Sequence, residues 1–234
     1  VNYSELRRPD PRIAAAIEAA LGDARTILNV GAGTGSYEPE GRDITAVEPS
    51  AEMNRQRKAS SARVVQASAE KLPFDDASFD ASMAVLTVHH WADKAQGLRE
   101  MRRVTRGPII ILTFDPNVKW FWLADYFPEL IAIDNEKMPK LDAFQRLLGD
   151  VDISVVPVPH DCTDGFLACY WRRPEAYLDQ RVRNAISSFH KIDDATDGLA
   201  RLADDLQTGN WHKRYGHLAD LGELDCGYRL VVAR

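Results

Sequence analysis

The run Ile27-Leu28-Asn29-Val30-Gly31-Ala32-Gly33-Thr34-Gly35-Ser36, answered by Glu48 at the end of a second apolar run, constrains the fold more than any other stretch. Ile27, Leu28 and Val30 predict a short buried strand. Three glycines at alternate positions then let the backbone turn sharply and approach a ligand that any Cβ would push away. A carboxylate at the tip of the following strand can accept both hydroxyls of a ribose. The pattern predicts a nucleoside-binding strand-turn-helix.

Small departures from the dinucleotide fingerprint narrow the ligand. That fingerprint places a third small residue three positions after its second glycine, so that helix and strand pack closely with a pyrophosphate at the helix N-terminus. Here the spacing is G-x-G-x-G, with Ser36 and Tyr37 next. Such a loop suits the amino-acid and ribose parts of S-adenosylmethionine better than a diphosphate. The segment Ser68-Ala69-Glu70-Lys71-Leu72-Pro73-Phe74 follows in the order a nucleoside site requires.

At 234 residues, the chain is long enough for one α/β domain with an elaborated lid. A formal charge of −6 argues against a sequence-independent hold on nucleic acid, because the arginine pairs 7–8, 102–103 and 172–173 are short and scattered. Cys162, Cys169 and Cys226 form no close pair and no metal spacing, which fits intracellular thiols and a cytoplasmic protein. His160, Asp161 and Cys162 are consecutive and cannot all turn toward one ion, so no metal site is expected. Neither an apolar leader nor an apolar run of eighteen residues is seen, so neither export nor membrane insertion is expected.

Asp10-Pro11 opens a helix with Ile13, Ile17, Ala20 and Leu21 on one face, stopped by Gly22. Strands are expected at about 26–30, 44–48, 62–66, 79–86 and 108–114, an alternation that implies a parallel sheet covered on both sides. Asp93 caps a crossover helix whose Leu98, Met101 and Val104 recur at intervals of three. A sixth strand is expected at about 151–158 and a seventh at about 225–233. Beyond Phe114, Trp120, Phe121, Trp122, Tyr126 and Phe127, and later Tyr170-Trp171, predict lid walls at 115–150 and 160–223 that favour a flat or lipophilic acceptor.

With these motifs in order, the chain resembles the class I S-adenosylmethionine-dependent methyltransferases, in the small-molecule branch called methyltransferase type 11. The resemblance covers about residues 26–114, through Asn29 to Gly35, Val47-Glu48-Pro49-Ser50, Ala69 to Phe74, Phe79-Asp80 and His89-His90-Trp91. It implies a Rossmann-like α/β fold with a seven-stranded, mostly parallel sheet, an antiparallel last strand, helices on both faces and helical lid insertions. Residues 1–25 would then lie over the cofactor, and 26–114 would form its binding core.

Carried over residue by residue, the resemblance sets Gly31, Ala32, Gly33 and Gly35 against the methionine portion and Glu48 on the ribose. Pro49, Ser50 and Met53 would run along the adenosine, Ser68, Ala69 and Glu70 would flank the adenine, and Val85 would end the fourth strand beside the cofactor. Family members commonly carry an aspartate where Ser68 stands, so this contact loses charge assistance. Tyr3 and Arg8, before the first helix, match relatives in which an aromatic and an arginine close over the cofactor.

A sulfonium methyl is already activated, so alignment and exclusion of water come before general-base help. His90, beside His89 at the end of the fourth strand, is the expected base. The strand pleat should turn the two apart, leaving at most one as base. Two other readings stay open at this point: a catalytically silent nucleoside-binding partner protein, and a nicotinamide-dependent oxidoreductase.

Overall fold

The computed structural model describes residues 6–57, 62–118 and 121–234. In chain order its elements are α1 (Pro11–Leu21), β1 (Thr26–Val30), β2 (Asp43–Val47), α2 (Ala51–Arg55), β3 (Arg63–Val65), β4 (Ala81–Val85), α3 (Lys94–Val104), β5 (Ile109–Phe114), α4 (Leu123–Tyr126), α5 (Glu129–Lys137), α6 (Leu141–Leu148), β6 (Val151–Val155), β7 (Val158–Pro159), α7 (Gln180–Asn184), α8 (Thr196–Gln207), α9 (Asn210–Tyr215), β8 (Glu223–Leu224) and β9 (Tyr228–Ala233). The described residues divide into two compact units.

The first unit, residues 11–115, 137–156 and 228–234, holds a seven-stranded sheet in the order β3-β2-β1-β4-β5-β9-β6. Neighbouring strands are parallel except at β9, which runs antiparallel to both β5 and β6. Ile109 to Leu112 are fully buried because a parallel strand at the sheet centre is covered on both faces. The strand order reverses between β1 and β4, and the crevice beyond their C-terminal ends is where an open α/β sheet takes its ligand. Asp93 caps α3 as expected, its carboxylate accepting the Gln96 N–H at 2.9 Å, and Leu98, Met101 and Val104 are buried against the sheet.

The sixth strand, expected to run to about 158, ends at Val155, and Val158–Pro159 pairs instead with Glu223–Leu224 in a separate two-stranded sheet; two larger readings also differ. Residues 137–150, expected in a lid, belong to the sheet unit, where Phe144 and Leu148 of α6 share one apolar cluster with Met101, Ile109 and Val231. The apolar spacing that looked like lid packing is that of a helix laid on a sheet. The second difference lies between β1 and β2, where residues 31–42 form turns and no helix. Glu38-Pro39-Glu40-Gly41 explains it, since proline disfavours helix in the residue before it and glycine weakens any helix that contains it.

At the opposite end of β1 and β4 from that crevice, Asp80 clips the two strand starts together. Its carboxylate accepts the Thr26 and Arg25 backbone N–H groups, each at 2.9 Å, and Arg106 Nε at 3.0 Å. The Thr26 amide, then Arg106 and the Arg25 amide, hold this carboxyl far below the usual carboxylate range. A depressed folded-state value means the stabilisation is fully present above the ordinary carboxylate pKa of about 3.9 and is lost as pH falls below it. Asp80→Ala is therefore expected to cost about 1–2 kcal/mol at neutral pH. Denaturant titrations should show the gap from wild type narrowing only below about pH 4; a gap that closes between pH 5 and 7 would contradict the assignment.

The second unit comprises 1–10, 116–136 and 157–227. Its core is aromatic: Trp122 meets Tyr126, Tyr177 and Trp211 edge-on at 5.9, 5.5 and 5.3 Å, and its indole donates to the Trp171 carbonyl at 2.6 Å. Of the rings expected as cavity walls, Trp122, Tyr126, Phe127 and Trp171 are buried, with Trp122 packed on Tyr126 and Phe127 on Phe189 at 5.1 Å. Trp120, expected among them, lies outside the described residues. Cys162, Cys169 and Cys226 are buried free thiols, with Cys169 donating to the Cys162 carbonyl at 3.0 Å. No helix of the described residues is long and apolar enough to cross a membrane.

Candidate active site

The bend after β1 is drawn onto the end of β2 by its own amides. Gly31 and Ala32 both donate to the Val47 carbonyl, at 2.8 and 2.9 Å, and Gly35 closes back on Ala32 at 2.9 Å. Gly31, Gly33 and Gly35 take φ values of 71°, 52° and 89°, a region that side-chain-bearing residues enter only at a cost. Gly31 also meets a steric limit, since a Cβ there would overlap the Thr87 hydroxyl and lie 2.9 Å from its methyl carbon.

Glu48, 7 % exposed, turns back over this bend. One carboxylate oxygen accepts the Gly33 N–H at 2.8 Å and the other accepts the Ser50 N–H at 2.9 Å. Each oxygen keeps a further lone pair, so a diol can be added to this arrangement without displacing either amide. Ser50 caps α2 through its hydroxyl, which accepts from Met53 N–H at 3.2 Å, and the Met53 methyl stands 3.5 Å from where a Gly33 Cβ would be. Exposed Pro49 gives its carbonyl to Gln66 at 3.0 Å.

The adenine-side residues form a small network. Ser68 is exposed, Ala69 buried and Glu70 half-buried. Glu70 accepts the Asp93 N–H at 3.2 Å. Burial pushes the Glu70 carboxyl up, and hydrogen bonds from its own amide, from Asp93, from the Ser68 hydroxyl and from Ala92 together hold it below its ordinary value. The Ser68 hydroxyl thus contributes to keeping the Glu70 carboxylate charged.

Beyond half-buried Val85, Leu86 adopts φ 50°, strained for a branched residue, and its N–H is held by the Leu112 carbonyl at 2.8 Å. This kink sets Thr87 against Gly31 and starts a 3-10 turn over Val88–His90. His89 and His90 therefore do not sit on a strand, and their expected opposition fails: the rings lie 4.0 Å apart, tilted by 45°. His89 is half-buried and His90 exposed. The N-terminal residues divide differently. Tyr3 lies outside the described residues, Arg8 is exposed, and Arg7 is paired with buried Asp164 at 2.6 Å.

Four residues of this site escaped the sequence reading. Asn29, 1 % exposed, donates to Glu38 at 3.0 Å, and its side-chain carbonyl oxygen has no partner. Glu38 and Arg57 form an ion pair under the bend, with side chains 9 % and 5 % exposed. Thr87 is the fourth. Glu38 stands three residues past the last glycine, but Arg57 lies 19 residues further on, beyond β2 and α2, so no local pattern signals their pairing. A buried acceptor without a donor beside a glycine cradle is what a ligand carrying an ammonium group would satisfy, so the amino-acid part of S-adenosylmethionine fits. The rival dinucleotide reading needs a helix N-terminus for its pyrophosphate, and residues 31–42 supply none.

Comparison with known proteins identifies the family. A family model described as a methyltransferase domain matches residues 28–110. The crystal structure of a putative methyltransferase from an antibiotic biosynthesis pathway of Anabaena variabilis is 35 % identical, covers 98 % of this chain and 99 % of its own, and superposes with a TM-score of 0.93. The chain belongs to the class I S-adenosylmethionine-dependent methyltransferases, in the type 11 branch. Within that family it is 36 % identical to the demethylmenaquinone methyltransferase of Deinococcus radiodurans, over 45 % of this chain and 49 % of that protein. It is 35 % identical to the malonyl-[acyl-carrier protein] O-methyltransferase of Pseudescherichia vulneris, over 38 % of each. The chain thus spans about half the length, or less, of the curated relatives it matches.

Proposed function

We propose that this protein moves a methyl group from S-adenosylmethionine to an oxygen, nitrogen or carbon atom of a small molecule. Glu48 carries the reading: a buried carboxylate tied to the glycine bend on one side and to the β2–α2 turn on the other, with acceptor capacity left for a ribose diol. In this reading Gly31 to Gly35 face the amino-acid part, Pro49, Ser50 and Met53 follow the adenosine, and Ser68, Ala69 and Glu70 flank the adenine. The bound cofactor supplies a sulfonium methyl that needs no further activation.

The chain's own contribution is then alignment, together with proton removal where the acceptor needs it. His89, half-buried beside the end of β4, suits that role better than exposed His90. The relatives, a demethylmenaquinone methyltransferase and a malonyl-[acyl-carrier protein] O-methyltransferase, favour a metabolite acceptor and leave the acceptor atom open.

Calorimetry with S-adenosylmethionine and S-adenosylhomocysteine tests the proposal, and absence of binding heat for both would overturn it. With labelled methyl donor and a panel of quinols, phenols and amines, His89→Ala is expected to lower turnover by about a hundredfold. S-adenosylhomocysteine affinity should not move, and His90→Ala should have little effect. The reverse ranking would exchange their roles.

A further inference from the structure

We propose that the buried Glu38–Arg57 ion pair is a positioning device that holds the glycine bend in its cofactor-ready shape, in place of the helix that this bend lacks. The inference rests on the cofactor reading above. Arg57 leaves the end of α2 and grips Glu38 through one nitrogen, Nη2, at 2.8 and 2.7 Å from the two carboxylate oxygens. Its other terminal nitrogen, Nη1, donates to the Gly33 carbonyl at 3.3 Å. Glu38 in turn accepts from Asn29 Nδ2 at 3.0 Å. Gly35 lies directly on the pair, for a Cβ there would stand 3.0 Å from Arg57 and 3.1 Å from Glu38.

One pair thus touches the strand end before the bend, the middle of the bend and its last glycine. Three glycines at positive φ are a segment with little intrinsic order. In a strand-turn-helix, the hydrogen-bonded first turn of the helix fixes such a segment; here residues 31–42 contain no helix and this ion pair spans the gap. A ligand that needs the ordered bend binds with its intrinsic affinity reduced by the fraction of molecules in which the bend is formed. Glu38 and Arg57 would therefore set cofactor affinity without touching the cofactor.

The experiment is calorimetric titration of S-adenosylhomocysteine into wild type, Glu38→Gln, Arg57→Met, Arg57→Lys and the double variant Glu38→Leu/Arg57→Met, with amide exchange followed over residues 31–37. Glu38→Gln and Arg57→Met are expected to weaken binding about tenfold, as when the ordered fraction falls to a tenth. Arg57→Lys should lose less, because a single ammonium keeps the charge but not the fork that reaches both Glu38 and the Gly33 carbonyl. Exchange should quicken over 31–37 while β4 and β5 keep wild-type rates. The double variant leaves no unpaired buried charge, although Asn29 loses its acceptor, and is expected to stay folded yet still bind weakly. Wild-type affinity in the double variant, or in folded single variants, would overturn the inference. Failure of the wild type itself to bind would overturn the cofactor reading and this inference with it, and is seen before any substitution is made.

Discussion

Glu48→Ala is expected to weaken S-adenosylhomocysteine binding by at least about a hundredfold, the largest loss from any single side chain on the cofactor side. Two backbone amides, those of Gly33 and Ser50, give their protons to this carboxylate inside a site that is 7 % exposed at Glu48. Hydrogen bonds to a charged acceptor contribute about 1.5–3 kcal/mol each, and a buried donor left without a partner costs about 1–3 kcal/mol. The ribose diol would lose its acceptors in the same substitution. Glu48→Gln should fall between, at roughly a tenfold loss, since its amide nitrogen would face an N–H donor where a carboxylate oxygen now accepts. Calorimetry on both variants checks the ranking. An alanine variant that binds within about twofold of wild type would remove Glu48 from the cofactor site.

Gly31→Ala should strike stability and binding together. Two costs add: a side chain at φ 71° loses about 1–2 kcal/mol, and overlap with the Thr87 side chain adds about 1–3 kcal/mol of overpacking. Gly22 provides the control. It also has positive φ, at 54°, but a Cβ there meets nothing within 4 Å, so Gly22→Ala should pay only the backbone part. Removing the obstacle with Gly31→Ala/Thr87→Ala should recover the overlap portion and leave the backbone portion, a coupling that a double-mutant cycle in denaturant can resolve. If Gly31→Ala and Gly22→Ala cost the same, Thr87 does not press on the bend.

Much of the sheet was legible in the chain because buried parallel strands are short apolar runs. Thr26 to Val30 and Ile109 to Phe114 fall where the sequence places them, and the α3 helix follows from Asp93 and the spacing of Leu98, Met101 and Val104. The absent helix after the bend was legible too, in Pro39 and Gly41, but the glycine pattern brought the expectation of a following helix with it. His89 and His90 depart from expectation because the apolar run continues through Leu86 while the strand does not. Leu86 leaves it at φ 50°, and a 3-10 turn does not alternate its side chains as a pleat does.

What the sequence determined alone is local: which runs are apolar enough to be buried, where glycine frees the backbone, and which carboxylate ends a strand beside it. Each follows from the chemistry of neighbouring residues along the chain. Only the tertiary structure decided that Glu38 meets Arg57 beneath the bend, that Thr87 closes on Gly31, and that α6 joins the sheet rather than a lid. Those pairings join residues from separate turns, strands and helices. Their energy comes from removing charges and side chains from water at one shared place, and a linear pattern carries no information about where that place is.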